Sequence, residues 1–311
     1  MSRDAWAGTD VLSILDFSRA DIETLLKEAS TFADNPKSAK KSLKDEIVAT
    51  AFFEPSTRTR LSFSAAALRL GAKVIDLSPD VSSVLKGESL ADTIRMLDGY
   101  SDLIVIRHPS EGAALLASEV ATVPVINGGD GSQHHPSQAM LDLFTVKRLM
   151  GRIDGLNYAV VGDIRYARSA ASLLYGLSKF KPGSVHLISP ESLRPRDEVR
   201  DTLSKLGLKT DQLANLDDVI ADVDVIYLTR IQKERFPDPN EYEKVKGSYR
   251  ITKSSLARAK KGSIVLHALP RTNELAYEVD SLPSAAYMKQ ARFGVPVRMA
   301  LLDLVLGGST R

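Results

Sequence analysis

Five consecutive side chains, Ser56-Thr57-Arg58-Thr59-Arg60, carry only hydroxyl and guanidinium groups, and they follow Phe52-Phe53-Glu54-Pro55. An apolar run ends there, Pro55 turns the chain, and a helix is expected from about Ser56 through Leu61, Ala65 and Leu68. A helix start exposes unpaired N–H groups and the positive end of the dipole. With three hydroxyl donors and a bidentate cation added, this is a cradle for phosphate. Ser56 and Thr57 could also serve as plain helix caps. Capping does not account for two arginines in a first turn, which the dipole disfavours unless an anion is present. Arg58 and Arg60 point to different sides of the helix, so Arg58 is assigned to the anion and Arg60 to structure.

Further chemistry sits at the ends of apolar runs. Arg107 follows Asp102–Ile106, and ligands of parallel sheets bind beyond strand carboxyl ends. Gly128, Gly129 and Gly131 promise a turn where backbone can approach a ligand, before Ser132-Gln133-His134-His135-Pro136-Ser137-Gln138. Adjacent histidines rarely ligate one ion together, and the other histidines lack ligand spacing, so no metal site is expected. Val160-Val161-Gly162-Asp163-Ile164-Arg165-Tyr166-Ala167-Arg168 reads as strand, turn and helix start without the GxGxxG of a dinucleotide site. After Tyr227-Leu228, Arg230 and Gln232 point the same way along extended chain.

The elements that must position these groups alternate along the chain. Continuous apolar runs, at Ile47–Phe53, Lys73–Leu77, Asp102–Ile106 and Pro124–Ile126, suit strands buried on both faces of a parallel sheet. A second set lies at Tyr158–Val161, Val185–Ser189, Val223–Leu228 and Ser263–Leu266. Helical spacing between them, as at Leu90, Ile94 and Leu97, predicts an α/β fold: two doubly wound domains with parallel sheets. The expected boundaries are 1–138 with 292–311 for the first domain, 151–291 for the second, and a connecting helix over 139–150. A last helix near Arg298–Leu306 is expected to pack back on the first domain. Ser192–Arg200 and Gln232–Ile251 read as polar surface loops.

Composition sets the limits. The chain has 311 residues, 43% of them hydrophobic and 26% charged, enough apolar material for two cores. With 41 basic and 39 acidic residues it is not built to coat nucleic acid or an anionic membrane, though a local basic pocket remains open to it. No cysteine is present, which excludes disulfides, thiolate zinc sites and a cysteine nucleophile within the chain. Met1 to Asp10 carries Arg3, Asp4 and Asp10 with no apolar run, so no signal peptide is expected. No run of about 18 uncharged apolar residues occurs. The expected location is cytoplasmic.

The FxExSTRTR stretch resembles the carbamoyl-phosphate signature of the aspartate/ornithine carbamoyltransferase family, and the resemblance continues in order along the whole chain. It implies that Ser56, Thr57, Arg58 and Thr59 bind the phosphate of carbamoyl phosphate. Ser82 and Lys86, in Ser82-Ser83-Val84-Leu85-Lys86, match a loop that in this family reaches the active site of a neighbouring subunit. Taken alone, Lys86 reads as a solvated surface lysine. Arg107 matches the family's carbonyl-binding arginine, and HPxQ selects His135 and Gln138, with His108 and His134 left structural. Arg168 and Arg230 match the arginines that hold the substrate's two carboxylates, a task for separate planar guanidinium groups. Leu266-His267-Ala268-Leu269-Pro270-Arg271 resembles HPLPR, with Ala268 in place of a proline. There a cis Leu269–Pro270 bond and backbone carbonyls are expected to meet the substrate amine. TRxQ at Thr229–Gln232 favours the aspartate branch, and the SMG and HCLP motifs of the ornithine branch are missing.

The resemblance therefore implies transfer of a carbamoyl group from carbamoyl phosphate to L-aspartate without a cofactor. Thr57, Arg107 and His135 would donate to the carbonyl oxygen, and domain closure would exclude water. It also implies a homotrimer with shared sites. Some members bind zinc-containing regulatory chains, a candidate partner here. An ornithine-type enzyme, a silent assembly partner and a nicotinamide dehydrogenase are the rival readings. The motifs above weigh against each of them.

Overall fold

A computed structural model describes residues 6–36, 42–236 and 238–307. Arg3 and Asp4 of the N-terminal stretch, and residues 308–311 of the expected first domain, lie outside them. The chain divides into two units: Met1–Phe144 with Phe293–Arg311, and Thr145–Arg292.

Unit 1 begins with α1 (Arg19–Asp34) and β1 (Ile47–Phe52). It continues through α2 (Arg58–Leu70), β2 (Lys73–Leu77), α3 (Leu90–Asp98), β3 (Leu103–His108), α4 (Ala113–Val120) and β4 (Val125–Asp130). Its sheet runs β2-β1-β3-β4, all parallel. β1 is buried from Val48 onward and β3 over Leu103–Ile106, as strands covered on both faces should be. Beneath them Ala49, Ala51, Ile104 and Ile106 pack with Ile94, Leu97, Ala114 and Ala117 of α3 and α4. β2 lies at the edge, only partly buried.

α5 (Pro136–Met150) carries the chain out of unit 1, and the division between units falls inside it. Unit 2 holds β5 (Asn157–Val161), α6 (Arg168–Leu177), β6 (Ser184–Ile188), α7 (Asp197–Lys205) and β7 (Asp211–Leu213). β8 (Val225–Leu228), α8 (Pro239–Val245) and β9 (Ile264–His267) complete it. Its parallel sheet runs β7-β6-β5-β8-β9. α9 (Tyr287–Leu306) then returns to unit 1. There Phe293 meets Phe144 edge-on at 5.2 Å, and Gly8 N–H donates to the Val305 carbonyl at 2.9 Å.

Both sheets have their first strand inside, so the winding reverses beside it: between β1 and β3 in unit 1, between β5 and β8 in unit 2. The crevice at the carboxyl ends of such a pair is where open α/β sheets bind ligands.

Several expectations shift. β4 runs through Gly128 and Gly129, and the turn comes later, at Gly131. A Cβ at Gly128 would lie 3.1 Å from the Ile106 carbonyl oxygen, so Gly128 serves close strand contact, while Gly129 supplies a positive φ of 117°. The last helix begins eleven residues earlier than expected, at Tyr287, and tolerates Pro296 in its interior. β7 is an addition to the expected strands, because Asp211-Gln212-Leu213 is short and polar and lies at a sheet edge. Within the expected loop after Gln232, α8 starts at Pro239 with the Asp238 side chain accepting from Asn240 N–H at 2.8 Å.

Candidate active site

In unit 1, strand register sets the site. Phe52 pairs with Arg107, and Phe53 N–H donates to the Arg107 carbonyl at 2.8 Å. The loop leaving β1 therefore runs beside the end of β3. Arg107 Nε donates to Glu54 Oε2 at 3.2 Å, both side chains being mostly buried. Its Nη1 lies 3.5 Å from the Gly128 carbonyl on the other flank. Arg107 is thus held from the loop after β1 and from β4, beside the switch point of the sheet.

α2 starts at Arg58 rather than Ser56, with Thr57 as its N-cap residue in helical conformation and with no side-chain cap bond. The plain-capping reading of Thr57 is therefore not what the structure shows. The first-turn N–H groups keep their anion-binding character. Thr59 is buried, and its Oγ1 lies 3.5 Å from His135 Nε2. Arg60 pairs with Asp76 at 2.9 Å across to β2, the structural role assigned to it. His135 and Gln138, both buried, flank the start of α5, where Gln138 N–H donates to the His135 carbonyl at 3.0 Å. Gln138 Nε2 donates to Asp142 Oδ1 at 2.7 Å. His108 accepts from Ser110 N–H through Nδ1 at 3.0 Å. Burial pushes its pKa below the usual histidine range, with Glu54 and Asp130 opposing.

Ser82 and Lys86 lie on the segment between β2 and α3. Ser82 caps a short 3₁₀ turn, Ser83–Lys86, and its Oγ donates to the Pro79 carbonyl at 3.1 Å. Lys86 is exposed.

In unit 2, Val161, Leu228 and His267 form one row across three strands. Register therefore sets the segments that follow side by side: Gly162–Arg168, Thr229–Gln232 and Ala268–Pro270. Gly162 has φ +109°, and a Cβ there would sit 2.4 Å from the Thr229 carbonyl oxygen. Thr229 Oγ1 ties the neighbouring segment down, 3.0 Å from the carbonyls of Val161 and Asp163. Asp163 is fully buried and accepts from Tyr166 N–H at 2.8 Å and Gln232 N–H at 3.4 Å. Burial pushes its carboxyl up to about 6, while those N–H groups and the Arg230 charge pull down. Arg168 is buried at the first position of α6. Arg230 forms a two-pronged pair with Glu234 four residues on, the longer arm at 3.1 Å. Gln232 Nε2 donates to the Tyr166 carbonyl at 3.3 Å, which turns its amide oxygen away from that carbonyl.

The Leu269–Pro270 bond is cis, and Leu269 has φ +58°, rare for a non-glycine residue. Leu269 N–H donates to His267 Nδ1 at 2.8 Å. That Nδ1 is therefore an acceptor, and His267 Nε2 carries the hydrogen donated to Glu274 at 2.8 Å. Burial pushes the Glu274 carboxyl up. The His267 bond, the backbone and the Thr272 hydroxyl outweigh it and hold the pKa at about 2. The buried His267–Glu274 pair thus clamps the turn that presents the Leu269 carbonyl.

The supporting acids Glu54, Asp142, Asp163, Glu234 and Glu274 are not among the residues that sequence singles out. Two have a readable signal: Asp142 and Glu234 stand four residues after Gln138 and Arg230, within side-chain reach on one face of a helix or turn. Among the described residues no group of three or more His, Asp or Glu side chains could hold a metal ion. No described helix is long and apolar enough to cross a membrane.

The carbamoyl-phosphate-binding model of the aspartate/ornithine carbamoyltransferases matches residues 9–148, and the aspartate/ornithine-binding model matches residues 154–305. The chain belongs to the aspartate/ornithine carbamoyltransferase family. Within it, the aspartate carbamoyltransferase catalytic subunit of Thermofilum pendens is 56% identical over 302 residues, covering 97% of this chain and 96% of that one. The catalytic subunit from Hyperthermus butylicus is 54% identical over 310 residues, 98% of each chain. Among solved structures, Trypanosoma cruzi aspartate transcarbamoylase with carbamoyl phosphate and aspartate is 38% identical. It superposes with a TM-score of 0.93 over 97% of this chain and 98% of that one. The M. jannaschii catalytic subunit is 49% identical, with a TM-score of 0.85 over 95% and 97%.

Proposed function

We propose that this chain is the catalytic chain of an aspartate carbamoyltransferase, making N-carbamoyl-L-aspartate and phosphate at an early step of pyrimidine biosynthesis. The observation that carries the reading is the division of labour between two switch points. In unit 1 the loop that leads into the start of α2 holds Arg107 through Glu54, which supports a phosphate and carbonyl site there. Unit 2 sets two arginines, Arg168 and Arg230, around the segments that follow β5 and β8.

In this reading the amine nitrogen of aspartate attacks the carbamoyl carbon, and the carbon–oxygen bond to phosphate then breaks. Ser56, Thr57, Arg58 and Thr59 hold the phosphate. Thr57, Arg107 and His135 donate to the carbonyl oxygen as it gains charge. Gln138 meets the carbamoyl nitrogen. Arg168 and Arg230 hold the two aspartate carboxylates, and the Gln232 and Leu269 carbonyl oxygens place the amine. The departing phosphate accepts the amine proton, so no side chain becomes a covalent nucleophile, and most of the acceleration comes from orientation.

We further propose a cytoplasmic homotrimer. Ser82 is bonded within its own turn and Lys86 is exposed, which suits residues that act in a neighbouring copy. Zinc-containing regulatory chains are a candidate further partner.

The test is phosphate release from carbamoyl phosphate by the purified chain, with L-aspartate and L-ornithine offered separately. Turnover with aspartate alone is expected. Turnover with ornithine alone would overturn the reading of unit 2, and turnover with neither would overturn the assignment as an enzyme.

A further inference from the structure

A glutamine amide has two opposite ends, an N–H donor and a carbonyl acceptor, and a ligand feels which one it meets. Gln138 and Asp142 lie one turn apart on α5, both buried. The Gln138 amide end that faces Asp142 stands 2.7 Å from its Oδ1. An ionised carboxylate only accepts hydrogen bonds, so that end must be the NH2 group. The carbonyl oxygen then occupies the opposite edge of the amide.

A second buried residue sets a positive charge against Asp142. Arg298 of α9 is buried, and its guanidinium lies 5.0 Å from the Phe63 ring centroid. Burial pushes its pKa down to about 10, and the Asp142 charge opposes that fall, so the group stays cationic at neutral pH. The fold makes room for it: a Cβ at Gly294 would sit 2.5 Å from Arg298 Nη1. The buried Asp142 carboxylate thus favours the charged form of the buried guanidinium.

We propose that Asp142, backed by Arg298, is a positioning residue that fixes the Gln138 carbonyl toward the ligand and so selects a donor bearing an NH2 group. This rests on the reading of unit 1 as the carbamoyl-phosphate site. Carbamoyl phosphate and acetyl phosphate are near-isosteres that differ by NH2 against CH3. An accepting oxygen binds the first through an N–H and leaves itself unpaired against the second. Sites built to meet a polar group reject the analogue that lacks it far better than apolar pockets reject an added group.

The experiment compares the KM for carbamoyl phosphate with the inhibition constant of acetyl phosphate, at saturating aspartate. Asp142→Asn offers both a donor and an acceptor and lets the Gln138 amide turn over. The ratio of the two constants should collapse by about ten- to a hundredfold, mainly through weaker carbamoyl phosphate. Gln138→Glu together with Asp142→Asn reverses the roles: the amide introduced on α5 would donate to the new carboxylate, whose other oxygen accepts from the ligand. This exchanged pair keeps the net charge and should regain most of the ratio, whereas Gln138→Glu alone should not. A ratio unchanged in Asp142→Asn overturns the proposal, as does a parallel loss of both affinities that the exchanged pair fails to reverse. Wild-type chain inert toward carbamoyl phosphate and aspartate would instead refute the functional reading itself, before any variant is compared.

Discussion

Replacing Arg107 by lysine keeps one positive charge at the end of β3 and removes the fork that delivers it. The guanidinium serves Glu54 at 3.2 Å and faces the Gly128 carbonyl at 3.5 Å from separate nitrogens. A planar fork can do this and still address a ligand oxygen, whereas an ammonium works from one atom. The retained charge still compensates Glu54, whose side chain is only 14% exposed. The folding loss should therefore stay near ~1 kcal/mol, well short of the roughly 3–5 kcal/mol typical of a buried pair with one partner removed. The rate is a different matter. Losing one preorganised donor to a developing oxyanion costs about 2.7–4 kcal/mol of transition-state stabilisation, or about 100- to 1000-fold in kcat. Steady-state phosphate release gives kcat and KM, and urea unfolding of the same preparation gives stability. Arg107→Lys within about fivefold of wild type would refute the oxyanion role. A rate loss matched by a comparable loss of folding free energy would refute the separation of the two.

Three other perturbations probe the rest. Gly162→Ala forces a side chain into φ +109° and against the Thr229 carbonyl, at a cost on the order of 3 kcal/mol; a loss under about 1 kcal/mol in urea would contradict the close approach. The Glu274 pKa is depressed, so its stabilisation is complete above its ordinary value of 4.5 and fades as pH falls toward 2. Glu274→Gln should accordingly flatten the acid limb of the stability curve, by on the order of 2 kcal/mol, and an unchanged limb rejects the pairing. Lys86→Ala should abolish most activity, yet mixing it with inactive Arg107→Ala chains should restore some, since shared sites would form with one intact set; no recovery on mixing argues against sharing.

The parallel sheets are readable because strands buried on both faces are nearly continuous apolar runs, as in Val225–Leu228 and in Val48–Phe52, where Thr50 is the one polar residue. β7 is not, because an edge strand needs no such run. Most candidate site residues can be named because they lie at a strand's carboxyl end or at a helix start, whereas Ser82 and Lys86, on a short 3₁₀ turn, are named by the family resemblance alone. Their supports are harder to see. Glu54 is recognisable as a buttress only once register sets it beside Arg107, and Glu274 only once the chain folds back on His267. Those pairings are tertiary facts, and no local spacing encodes them. The start of α9 is hidden for a related reason: Pro296 reads as a helix breaker, but here the helix continues through it.

Unit 1 is written in two pieces, with all of unit 2 between them. A ribosome delivers the chain in order, at roughly 5–20 residues per second. The sheet of unit 1 is therefore complete on the order of ten seconds before Phe293 and Arg298 exist. During that interval Phe144 lacks its edge-on partner and Phe63 its cation, and Asp142 waits without the charge that opposes it. A chain stalled at Arg292 should accordingly yield to protease in unit 1, where a chain extended through α9 resists. The unit matched by the carbamoyl-phosphate-binding model is thus finished last, after the unit matched by the aspartate/ornithine-binding model has already been made.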